Sequence, residues 1–125
     1  MSSEERRKFP RLVLAVEDAY FGNFYLSNQE KITAPILNLS AGGLNMAVTK
    51  EAKAKLKEGD TLLLKSIVGG TQLAFLNDIK ADIRWIKDEG SQAYVGCEFD
   101  ALPENVLQQL TKFVSSERMT RGQYD

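Results

Sequence analysis

The chain has 125 residues, 43% of them hydrophobic and 26% charged, the mix expected of one globular domain with a real core and no room for a second. Its 16 basic and 17 acidic residues give a formal charge of -1, so the overall balance is not built to attract a polyanion, and binding to a nucleic acid polymer is disfavoured. No stretch approaches the roughly 20 apolar residues of a membrane-spanning helix, so no membrane insertion is expected.

The chain opens on Met1-Ser2-Ser3-Glu4-Glu5-Arg6-Arg7-Lys8, with no apolar run behind it of the sort a secretory signal needs, and the expected location is the cytoplasm. Residues 1–10 read as a flexible basic arm. Arg6, Arg7, Lys8 and Arg11 fall close enough together to hold a small anion locally, although the chain as a whole is near neutral.

Arg11 to Val16 is short and β-rich and predicts a first strand, bounded by Glu17-Asp18. Tyr20 to Leu26, with Gly22-Asn23 inside it, is either a second strand or a bent extension of the first. After a turn at Ser27 to Glu30, Ile32 to Leu37 predicts a strand whose Pro35 suggests an edge or a bulge. Asn38 to Gly43 reads as a loop. Leu44, Met46 and Val48 then alternate with polar or small residues, the period of a half-buried strand.

Lys50 to Lys57 is long enough for about two helical turns, and Thr61 to Val68 predicts another strand ended by the hairpin signal Gly69-Gly70. Gln72 to Ile86 is too long for one flat strand, and Asn77-Asp78 marks a bend or bulge within it. Lys87 to Gly90 turns the chain into a returning strand over Tyr94 to Phe99. Past Pro103, the residues Val106, Leu107, Leu110, Phe113 and Val114 recur at helical spacing, and 119–125 reads as a frayed tail. The expected fold is mainly β, an antiparallel barrel with a C-terminal α-helix, the domain proper spanning residues 11–118.

Catalysis is not expected. The chain has no histidine and a single cysteine, Cys97, so it can form neither an intrachain disulfide nor a cysteine metal cage, and no metal site is expected. No nucleophile motif is present. Glu17-Asp18 and Asp88-Glu89 are adjacent carboxylates, which a strand points to opposite faces. Cys97 reads as a small buried hydrophobe. Trp85 reads as core or barrel wall and Gly96 as a structural glycine, and both stay outside the expected site.

Two segments remain. Arg7 and Arg11 stand three residues apart and lead into a strand, and Asn38, Ser40, Gly42 and Gly43 follow in a fixed order between two strands. Together they resemble the PilZ family, whose marks are an Arg-x-x-x-Arg pair and a later Asp/Asn-x-Ser-x-x-Gly segment. The late hairpin, Asp82 to Ile86 and Tyr94 to Phe99, is similar too, so the likeness extends over nearly the whole chain. Asn38 stands where many members carry Asp, a change that removes one negative charge but keeps an acceptor.

The resemblance implies a receptor for cyclic di-GMP, with no other cofactor, that signals to an unidentified downstream protein. The ligand's two phosphates and two guanines suit arginine, whose planar guanidinium grips a phosphate or a guanine edge in bidentate fashion and also stacks on the base. The implied site comprises Arg6, Arg7, Arg11, Asn38, Ser40, Gly42 and Gly43. In it, the arm is ordered by ligand against the Asn38 to Gly43 segment, whose glycines let the backbone approach closely. An extra arginine before the pair goes, in that family, with an intercalated ligand dimer, and Arg6 stands in that position. The alternative is a PilZ-like adaptor that acts without ligand.

Overall fold

Apolar residues at alternate positions commit much of this chain to strands with one face inward. The computed structural model describes residues 9–69 and 71–123. Among them are strands β1 (Leu12–Val13), β2 (Phe21–Tyr25), β3 (Lys31–Ser40), β4 (Gly43–Thr49), β5 (Thr61–Val68), β6 (Ile79–Glu89) and β7 (Gln92–Phe99), with helices α1 (Lys50–Lys53) and α2 (Glu104–Thr120).

Every pairing is antiparallel. The order β3-β2-β5-β6-β7-β4 closes on itself through the β3–β4 pairing, so six strands form a barrel without a free edge. β1 lies outside that cycle, with Leu12 opposite Leu39 and Val13 opposite Asn38 of β3. The expected antiparallel barrel with a C-terminal helix is the architecture found.

Phe24, Leu39, Leu44, Met46, Leu62, Leu64, Ile83 and Val95 fill the interior, each at most 2% exposed. α2 buries Val106, Leu110 and Val114 and packs against β1 and β3. Each such side chain contributes about 1.5–3 kcal/mol relative to exposure, so this stripe and not helix propensity holds α2 in place. No helix of the described residues is long and apolar enough to cross a membrane.

Several local expectations are resolved or corrected. Of the two options for Tyr20 to Leu26, the separate strand is the one found, β2 at Phe21–Tyr25, set off by a 3-10 turn at Val16–Asp18 and by Ala19 at φ 57°. The helix after β4 is a single turn capped by Thr49, whose Oγ1 accepts the Ala52 N–H at 3.1 Å. Gly59 N–H and Asp60 C=O then bond to Ile83 at 2.8 Å each, drawing the chain onto β6 before a second turn can form.

Gly69 does not begin a tight hairpin. β5 and β6 are joined by a longer connection containing a 3-10 turn at Thr71–Leu73, and Leu73 and Leu76 bury themselves there as an apolar plug. Gly70 lies outside the described residues. Asn77-Asp78 is the break anticipated, with Asp78 at φ 56°, but the residues before it are not a strand. β6 continues through Lys87 to Glu89, and the turn into β7 is Gly90-Ser91 alone, with Gly90 at φ 62°.

The C-terminal end is anchored as far as Gln123. α2 runs to Thr120, Arg121 bonds Asp18 at 2.9 Å, and the Gln123 side chain both accepts from Val13 N–H at 2.8 Å and donates to Val13 C=O at 2.9 Å. That amide satisfies the outer edge of β1 as a further strand would.

Candidate functional site

The segment expected to be a loop is mostly strand. Asn38, Leu39 and Ser40 are the last residues of β3, and only Ala41-Gly42 turns the chain into β4. The β3–β4 register shifts between Ile36 and Asn38, and this bulge changes the phase of the strand. Ile36 and Leu39 both point inward as a result, and Asn38 and Ser40 are carried on the outer face.

The register then runs these residues across the sheet in two parallel rows. Asn38 pairs with Asn45, Asn45 with Gly96, and Gly96 with Trp85. Two positions along, Ser40 pairs with Gly43, Gly43 with Glu98, and Glu98 with Asp82. Residues from β3, β4, β7 and β6 that are distant in sequence therefore share one outward patch.

A second bulge lies between Ile83 and Trp85 of β6. It turns the consecutive residues Arg84 and Trp85 both outward, which a regular strand forbids. The Trp85 indole lies on Gly96, where a Cβ would stand 2.2 Å from Cε2 and Nε1. Arg84 reaches across to Glu98, donating from Nε to Oε1 at 2.8 Å and from Nη2 to the same oxygen.

Over this patch opens a cleft of about 830 Å³, lined by Phe9, Arg11, Asn38, Ser40, Gly42, Gly43, Leu44, Asn45, Arg84, Trp85, Gly96, Cys97 and Glu98. Of the expected site residues, Arg11, Asn38, Ser40, Gly42 and Gly43 are brought together there. Arg6 and Arg7 lie outside the described residues. Asn45, Arg84, Trp85 and Glu98 join the cleft wall although the sequence reading did not select them.

The glycines have structural work that differs from the expected one. Gly42 N–H donates to Ser40 Oγ at 3.1 Å and Gly42 C=O accepts from Phe99 N–H at 2.9 Å, so its polar groups are engaged within the fold. A Cβ on Gly42 would meet Phe9 Cδ2 at 2.9 Å, so the root of the basic arm rests on this turn. A Cβ on Gly43 would lie 2.0 Å from the Cys97 carbonyl oxygen, so glycine there lets β4 and β7 close together. Ser40, buried, holds the turn by accepting from Gly42 and donating to the Gly43 carbonyl at 3.4 Å.

Chemically the cleft offers two guanidinium groups, two carboxamides, one carboxylate and an indole face. Cys97 on its floor is buried, and burial, with a lesser contribution from Asp82, pushes its thiol up to about 12, so it is no nucleophile. Among the described residues no group of three or more His, Cys, Asp or Glu could hold a metal ion. The arrangement suits a flat ligand carrying both anionic and aromatic parts.

A family model described as PilZ domain matches residues 5–116. Among solved structures, the PilZ domain of YcgR from Escherichia coli with c-di-GMP superposes with a TM-score of 0.74 at 21% identity, covering 94% of this chain and 95% of that one. The K. pneumonia MrkH–c-di-GMP complex gives 0.75 at 16% identity, over 94% of this chain and 54% of the other. The Bacillus subtilis inhibitor of motility (MotI/DgrA) gives 0.71 at 18%, over 93% and 53%. The chain thus spans about half the length of the last two. Among curated protein sequences none matches. At these identities the structural likenesses establish a shared fold.

Proposed function

The chain belongs to the PilZ domain family, and from that premise we propose that it is a cyclic di-GMP receptor domain that passes the signal to a partner protein by contact, without catalysing a reaction. The observation that carries the reading is the meeting of Arg11, from the first motif, with Asn38 and Ser40, from the second, in a single cleft. Relatives of the same fold, YcgR and MrkH, were solved with this ligand.

Arg11 grips phosphate or the O6/N7 edge of guanine, Asn38 offers a carboxamide to a base edge, and Ser40 keeps the turn in shape. Arg7 and Arg6 complete the set of cations from the arm. Phe9, seated on Gly42 at the edge of the same cleft, is the point from which we take the arm to reach the ligand. Ligand bridges Arg7 and Arg11 to the end of β3 and orders the arm, and the ordered arm is the surface a partner recognises. Its place of action is the cytoplasm.

Calorimetric titration with cyclic di-GMP, with GTP and a linear dinucleotide as controls, tests this reading. Selective binding at micromolar concentration or below supports the receptor. Absence of heat at high ligand concentration overturns it in favour of the ligand-independent adaptor.

A further inference from the structure

Glu98 is out of place in a cleft that takes a dianion. Its carboxylate would repel phosphate, and its pairing with Arg84, with both side chains more than half exposed, adds little to stability. A carboxylate there needs a donor-bearing partner. Guanine has one: its Watson–Crick edge presents N1–H and N2–H side by side, whereas adenine presents an acceptor at N1.

Both Arg84 donors land on Glu98 Oε1, which orients the carboxylate and leaves Oε2 to take further donors. Trp85 follows Arg84 in the bulge, its indole supported from behind by Gly96; the residue is 38% exposed and lines the cleft. A base stacked on such a face has its edge in the plane where a neighbouring carboxylate can meet it. We infer that Glu98, oriented by Arg84 beside the indole of Trp85, reads the N1–H and N2–H edge of one guanine of the ligand and so selects guanine over adenine. This rests on the receptor reading and assigns the base specificity of that same site.

The test titrates the wild-type chain, Glu98→Ala and Trp85→Leu with cyclic di-GMP and with its inosine analogue, which lacks only the N2 amino groups. The wild type should prefer cyclic di-GMP by about ten-fold or more, the worth of a good base-edge contact. Glu98→Ala should bind the two ligands alike. Trp85→Leu should weaken both in parallel, since hypoxanthine offers the same face. A wild-type preference retained in Glu98→Ala overturns the inference while leaving the receptor standing. A wild type that binds neither dinucleotide removes the receptor reading and this inference together.

Discussion

The indole of Trp85 occupies the space above Gly96 that any other residue would fill with a Cβ, at 2.2 Å from two indole atoms. Glycine and tryptophan are thus a matched pair across the β6–β7 ladder. Gly96→Ala forces the indole off the strand or the strand off the barrel. The expected cost is about 1–3 kcal/mol, the usual range for overpacking. Because Trp85 is the sole tryptophan, urea unfolding followed by its emission reads both effects. The folded variant should show a shifted emission maximum together with a lower midpoint.

Arg11→Ala and Arg7→Ala should each weaken cyclic di-GMP binding by about 1.5–3 kcal/mol, the range for hydrogen bonds to charged groups. Unchanged affinity in both variants, with the fold intact, would place the ligand elsewhere. Asn38→Asp tests the departure from the commoner family residue, and binding should survive it, since the acceptor remains.

What was legible in the sequence followed from period and turn chemistry. Leu44, Met46 and Val48 alternate cleanly and predicted β4, and the Val106 to Val114 spacing predicted the buried face of α2. The far wall of the cleft was hidden by the bulge in β6. Strict alternation from buried Ile83 turns Trp85 inward, and only the extra residue brings it out beside Arg84. A glycine midway along the returning strand, at Gly96, was the one available hint that a large side chain lay over it. The bulge before Asn38 likewise made strand residues read as a loop, because Asn and Ser are common in turns.

The Arg121–Asp18 pair should govern how the C-terminal end responds to acid. The Arg121 hydrogen bond at 2.9 Å, followed by the Ala15 N–H at 2.7 Å, holds the Asp18 carboxyl below its ordinary 3.8. A depressed folded value means the unfolded chain takes up the proton first as pH falls. The contribution is therefore fully present above about pH 5 and lost on descent through the folded value. Asp18→Asn should lower the denaturation midpoint at neutral pH, and the gap to wild type should narrow below about pH 4. A gap that stays constant to pH 3 would show that the pair contributes nothing through charge.

Cys97 should resist alkylation in the folded protein. Its thiol is buried and pushed up to about 12, so almost no thiolate exists at pH 8, and the side chain faces the interior between Gly96 and Glu98. Iodoacetamide should leave the native chain unmodified by mass spectrometry and add one group after denaturation. Rapid labelling of the native chain would mean that β7 opens readily and that the floor of the cleft is not rigid.

Arg6 bears on stoichiometry. One bound cyclic di-GMP brings two phosphates, and an intercalated pair brings four along with stacked guanines, so the pair demands a further cation placed beside Arg7 and Arg11. In the sequence Arg6 is adjacent to Arg7, and the cleft of about 830 Å³ is open rather than closed around a single molecule. Calorimetry on the wild type should therefore reach saturation at two ligands per chain. Arg6→Ala should bring the endpoint to one while retaining binding. A one-to-one endpoint in the wild type would assign Arg6 to general attraction of the ligand instead, and the variant would then alter the salt dependence of binding more than its stoichiometry.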